Sequence, residues 1–161
     1  MDPGISFTDL LAYNAEENEH WKHWFAENPA ALDLVCDVAG AGSVRNLLLH
    51  IFATELFFAV RVLENVRMEN KDLPHETLEE LFGISQTAHR KFREYIAKAS
   101  LEDWTNPTPL GFRDVKASKR KMVMQAIMHS IHHRGQLATF LRQQGFKQNW
   151  IHDFIMSRAI E

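Results

Sequence analysis

Apolar residues recur along this chain at three- and four-residue intervals, the period of a helix with one buried face. From near Ser6 to Glu27, the residues Leu10, Tyr13, Trp21, Trp24 and Phe25 supply the apolar contacts of a first helix. Ser6-Phe-Thr-Asp9 resembles a capping box with Asp in place of Glu. Asn28-Pro29 ends the segment, because proline disfavours helix at the residue before it. Ser43 is a good N-cap for a second helix running to about Met68. Its core stripe is Leu47, Leu48, Ile51, Phe52, Phe58, Ala59, Val62, Leu63 and Val66.

Asp72-Leu-Pro74 opens a third helix, since proline is favoured in a first turn; Thr77-Leu-Glu-Glu80 is the alternative cap. This helix continues to about Ala99 with Leu78, Leu81, Phe82, Phe92, Tyr95 and Ile96. Residues 100–117 contain Asn106-Pro107-Thr108-Pro109 and Gly111, which exclude a regular helix. They fit a short hairpin or the mouth of a site. A fourth helix spans Ser118 to Gly145, with Gly145 at the position after the cap. A short terminal helix from Trp150 to Ile160 follows Asn149. No segment sustains period-two alternation, so the fold class is all-α. Mostly short links suggest an antiparallel four-helix bundle in a single domain, residues 1–161.

Composition narrows the function only a little. A net charge of −3 gives no reason to expect nucleic-acid binding. The basic run Lys116 to Lys121 lacks interleaved aromatic residues and reads as a solvated face. The single cysteine, Cys36, cannot form an internal disulfide and reads as a buried or idle thiol of a reducing compartment. The N-terminus has no signal-peptide pattern, and no run approaches the roughly 18 uninterrupted apolar residues of a membrane helix. A cytoplasmic protein without a membrane partner is the expectation.

The chain has nine histidines, and two of them carry the chemical argument. His129 and His133 are four residues apart in the fourth helix, so they stack on one helix face. That face also holds Met122, Leu137 and Phe140, whereas His132 shares a polar arc with Lys121, Gln125, Thr139 and Gln143. In apolar surroundings imidazole stays neutral, the form that binds metal. On spacing alone, a pair of hydrogen-bonded core or boundary histidines is the better reading. The best third ligand is His50, which lies off the second helix's apolar stripe near Asn46, Phe57, Arg61 and Glu64, a placement that fits a solvent face or a polar interior site equally well. His20, His23, His75, His89 and His152 lie in polar or terminal contexts and read as exposed. Glu64 also reads as exposed.

Leu47-Leu-Leu-His50, followed by His129-x-x-x-His133-Arg134-Gly135-Gln136, resembles the DinB/YfiT-like family of four-helix metalloproteins, and the resemblance spans nearly the whole chain. It implies an up-down-down-up bundle with one long crossover. It also implies that His50, His129 and His133 hold one divalent metal, commonly zinc or nickel, and that the protein is a homodimer. Three imidazoles leave coordination positions open, the pattern of a catalytic rather than a closed structural site. Some relatives use such a metal to activate a low-molecular-weight thiol. The resemblance therefore points to a metal-dependent transferase or hydrolase, with a non-catalytic metal- or ligand-binding stress-response bundle as the alternative. Gln136, nearer the His129 side, is the candidate hydrogen-bond donor behind the histidines, and Arg134 the candidate for a structural salt bridge or cap.

Overall fold

A computed structural model describes residues 4–68, 72–110 and 114–158. Four long helices dominate: α1 (Phe7–Glu27), α2 (Val44–Glu64), α3 (Leu78–Lys98) and, after the short α4 (Leu101–Thr105), α5 (Lys119–Gln143). Three of the four long helices, α1, α2 and α3, begin at a side-chain cap, whereas Ser118 before α5 makes no such bond. Ser6 and Asp9 form the reciprocal capping box of α1, and Ser43 caps α2 through the Asn46 amide. For α3 the choice between two starts falls to Thr77, which forms a capping box with Glu80. The start at Pro74 is thereby overturned, and Pro74 lies in the connection before the helix.

Helix ends are equally specific. α2 stops at Glu64 and not at Met68, because Asn65 takes the left-handed conformation (φ 57°) that Asn tolerates better than most residues. At the end of α5, Gly145 adopts φ +87°. The Phe146 amide donates to the Leu141 carbonyl at 2.9 Å, and the Gly145 amide to that of Arg142 at 3.1 Å. This pattern satisfies the last carbonyls of the helix.

Cross-helix contacts fix the topology. Phe52 meets Phe82, Glu55 meets Ser85 and Glu64 pairs with Lys91, so α2 and α3 run parallel. Asn14 meets His89 and Asn18 meets Ser85, so α1 and α3 are antiparallel. Arg134 bonds Asn14 while Phe146, just past α5, packs on Trp24, so α1 and α5 are parallel. The order is up-down-down-up, and the simple up-and-down arrangement suggested by short links is overturned. The connection after α2 returns along the bundle: Arg45, in the first turn of α2, donates to the carbonyls of His75 and Glu76.

The core is one cluster spanning all four helices, with Trp21, Phe25, Phe52, Phe82, Phe92 and Met122 fully enclosed. Val66 falls outside it, 49% exposed. By length and composition alone α2 could cross a membrane, with a mean hydropathy of 1.6; 61% of that window is buried against its neighbours, as in a core helix.

Small strands complete the links. β1 (Val35–Cys36) pairs antiparallel with β2 (Gly42–Ser43), and β3 (Pro107–Pro109) with β4 (Lys116–Ser118). The second pair is the hairpin foreseen in 100–117, but the regular helix excluded there is overturned: α4 forms ahead of Asn106-Pro107, started by the Ser100/Asp103 capping box. Gly111 lies outside the described residues. Arg61, near the end of α2, donates to the Pro109 carbonyl. That contact sits eleven residues beyond His50, about 16 Å along a helix, so the described part of the hairpin does not cover the histidines.

A terminal helix does not form among the described residues, which end at Arg158; Ile160 lies outside them. Residues 147–153 run as a strap over α1, and only Phe154–Met156 turns, as a 3-10 helix. Side-chain contacts hold the strap in this form. Trp150 Nε1 and His152 Nδ1 both donate to the Glu17 carboxylate, and Tyr13 Oη donates to the His152 carbonyl.

Candidate metal centre

α2 presents His50 in its second turn, and α5 presents His129 and His133 one turn apart. One ring nitrogen from each lies within 4.8 Å of those of the other two. The three rings span the full range of exposure. His50 is exposed, His129 half-buried and His133 buried, so the cluster opens to solvent on the α2 side and is closed behind.

The geometry fits a shared cation. Nitrogens that share a tetrahedral ion at about 2.0–2.1 Å stand about 3.4 Å apart. His50 Nε2 and His129 Nε2 face each other at 3.1 Å, with a proton or a cation needed between the two lone pairs. Behind the cluster, His133 Nδ1 donates to Gln136 Oε1 at 2.7 Å. This bond places the proton on Nδ1 and leaves Nε2 free as a ligand atom. Gln136 therefore orients His133 as an acceptor, which overturns its expected role as donor.

All three rings favour the neutral, metal-binding form. Burial pushes His129 down to about 4, with the His133 and His50 rings adding to the effect and Glu55 opposing it. Burial also lowers His50, assisted by His133. His133 is lowered by burial and His132, against the pull of its bond to Gln136. His132 stays exposed, as its polar arc indicated.

Beside this cluster lies a polar core that the sequence reading missed. Glu55 is 1% exposed and accepts from Asn14 Nδ2 at 2.7 Å, from Ser130 Oγ at 2.6 Å and from Ser85 Oγ. Arg134, 5% exposed, donates to the Asn14 carbonyl at 3.2 Å and to Asn18 Oδ1 at 2.8 Å. It thus makes neither the salt bridge nor the cap expected of it among the described residues; it is a cation inside the bundle, whose pKa burial lowers against the pull of the Glu55 and Glu17 carboxylates. His89 is 4% exposed, which overturns its reading as a surface residue. Burial holds it below its usual pKa against the pull of Glu55. Its Nε2 faces Asn14 Nδ2 at 2.8 Å.

His152 is partly buried on Glu17, and His75 Nδ1 donates to the Leu73 carbonyl at 2.7 Å. His20 and His23 are exposed. Glu64 is exposed and pairs with Lys91, away from the histidines. Cys36 is buried, and desolvation raises its thiol pKa, so it is an idle thiol.

No curated protein matches the chain. The family model described as "DinB family" matches residues 5–158, which contain all three clustered histidines and the whole bundle. By that match, over nearly its full length, this chain belongs to the DinB family.

Proposed function

We propose that this protein is a divalent-metal-dependent enzyme acting on a small molecule, with His50, His129 and His133 as protein ligands of its ion. The convergence of three neutral imidazoles within 4.8 Å carries this reading. Zinc and nickel both suit an all-imidazole set. When bound, the metal would act as a Lewis acid and lower the pKa of a coordinated water or thiol toward neutrality. The protein's own part is to keep the rings unprotonated, to aim His133 through Gln136, and to leave the His50 side open to solvent.

The reaction class we favour is transfer to or from a low-molecular-weight thiol, or hydrolysis. The open face supports it, since a closed structural site would use a fourth protein ligand. We also propose a homodimer in a reducing, cytoplasmic setting. Support comes from Met128 and Ile131, apolar and exposed on α5, and from the unpaired, buried Cys36.

The test is turnover. Protein loaded with zinc or nickel is assayed with thiol–electrophile pairs and activated esters, beside His50→Ala, His129→Ala and His133→Ala. A metal-dependent rate lost in all three variants supports the enzyme. Metal bound without any rate above background would leave a non-catalytic metal holder.

A further inference from the structure

A cavity apart from the three histidines lies between α1 and α3. Its volume is about 400 Å³, and its wall includes Asn18, Ser85, His89, Arg90, Arg93 and Glu19. The deep part of the wall offers hydrogen-bond donors. Asn14 Nδ2 carries two hydrogens; one goes to Glu55 Oε1 and the other faces His89 Nε2. His89 Nε2 therefore accepts, and a neutral imidazole that accepts at Nε2 carries its proton on Nδ1. No described residue accepts that proton, and His89, 4% exposed as a residue, lines the cavity. Asn18 Nδ2 spends one hydrogen on Ser85 Oγ and keeps a second.

The mouth is cationic. Arg90 and Arg93 are exposed and line the same cavity, and neither has a carboxylate partner among the described residues. Arg90 reaches only Thr87 Oγ1, at 3.4 Å. Glu19, the carboxylate on this wall, accepts from Gln86 Nε2 at 3.3 Å. Two guanidinium groups without carboxylate partners among the described residues, above spare N–H groups on the cavity wall, match an acceptor-only ligand.

We propose that this cavity binds a small oxyanion, a carboxylate or phosphate group, held by Arg90 and Arg93 at the mouth and by the Nδ1–H of His89 within. Guanidinium groups grip either group through paired hydrogen bonds, and the donors behind them fix its orientation. The site does not depend on the metal reading, because none of its residues touches His50, His129 or His133.

Amide NMR titration of the full chain at constant ionic strength tests this, with succinate and inorganic phosphate as probes and chloride as the reference. Saturable shifts confined to Asn18, Ser85, Gln86, His89 and their neighbours are expected for at least one probe. Which probe binds distinguishes a carboxylate from a phosphate ligand. The double variant Arg90→Gln/Arg93→Gln, changed only on the surface, is expected to weaken that binding at least about tenfold and to leave the metal content unchanged. No saturable shift with either probe would overturn the proposal. So would equal affinity in the double variant, or shifts spread over every surface cation.

Discussion

His133 donates its Nδ1 proton to Gln136 Oε1 at 2.7 Å, three residues further along the same helix. One turn of α5 thus supplies both a candidate ligand and the group that sets its tautomer. Partners of this kind typically tune metal affinity by about 10–100-fold. Gln136→Leu is expected to lose affinity in that range without unfolding the bundle, and Gln136→Glu to retain it. Competition against a chromogenic chelator measures both.

Glu55 and Arg134 place opposite charges in the same buried network, through Asn14. Removing one buried charge and leaving the other uncompensated costs about 3–5 kcal/mol. Glu55→Ala is expected to lose that much in urea unfolding. Glu55→Ala/Arg134→Met is expected to lose less than the sum of its single changes, and simple additivity would mean the two charges are not coupled.

Acid is expected to destabilise the fold through His89. Burial lowers its pKa in the folded protein below the 6.5 of the unfolded chain. As pH falls through that value the unfolded state takes up the proton first, so stability is full above it and declines below it. His129, lowered to about 4, adds to the same slope. The urea midpoint is expected to fall between pH 7.5 and 5.5, and to fall less in His89→Gln. An equal drop in the variant would remove His89 as a cause.

The strap after α5 rests on Trp150, whose ring packs on Trp21 at 5.0 Å and whose N–H bonds Glu17. Trp150→Ala is expected to cost about 2–4 kcal/mol and to speed amide exchange in residues 147–158. The histidine cluster lies elsewhere, so metal content is expected to hold.

The parts of this protein that depend on local chemistry were readable from residues alone. Ser6, Ser43 and Gly145 mark helix ends by what their own atoms do, and the four-residue spacing of His129 and His133 needs only helical periodicity. What escaped depends on which faces meet. Thr77 prevailed over Pro74 because both its hydroxyl and the Glu80 carboxylate find backbone amides. The terminal helix gave way because Glu17, more than a hundred residues earlier, draws in Trp150 and His152.

The buried polar core left a signal that periodicity could have exposed. Asn14/Asn18, Ser85/His89 and Ser130/Arg134 are all spaced by four, and Glu55 interrupts the most apolar helix. A charged residue in such a helix is explained only by partners from elsewhere, and those partners were the remaining polar pairs.

The most direct test of the metal centre is elemental analysis of protein purified without a nickel column or chelator, beside His133→Ala. About one divalent ion per chain is expected in the parent protein, with most of it lost in the variant. A metal-free parent, or a variant that keeps its full complement, would contradict the three-histidine site.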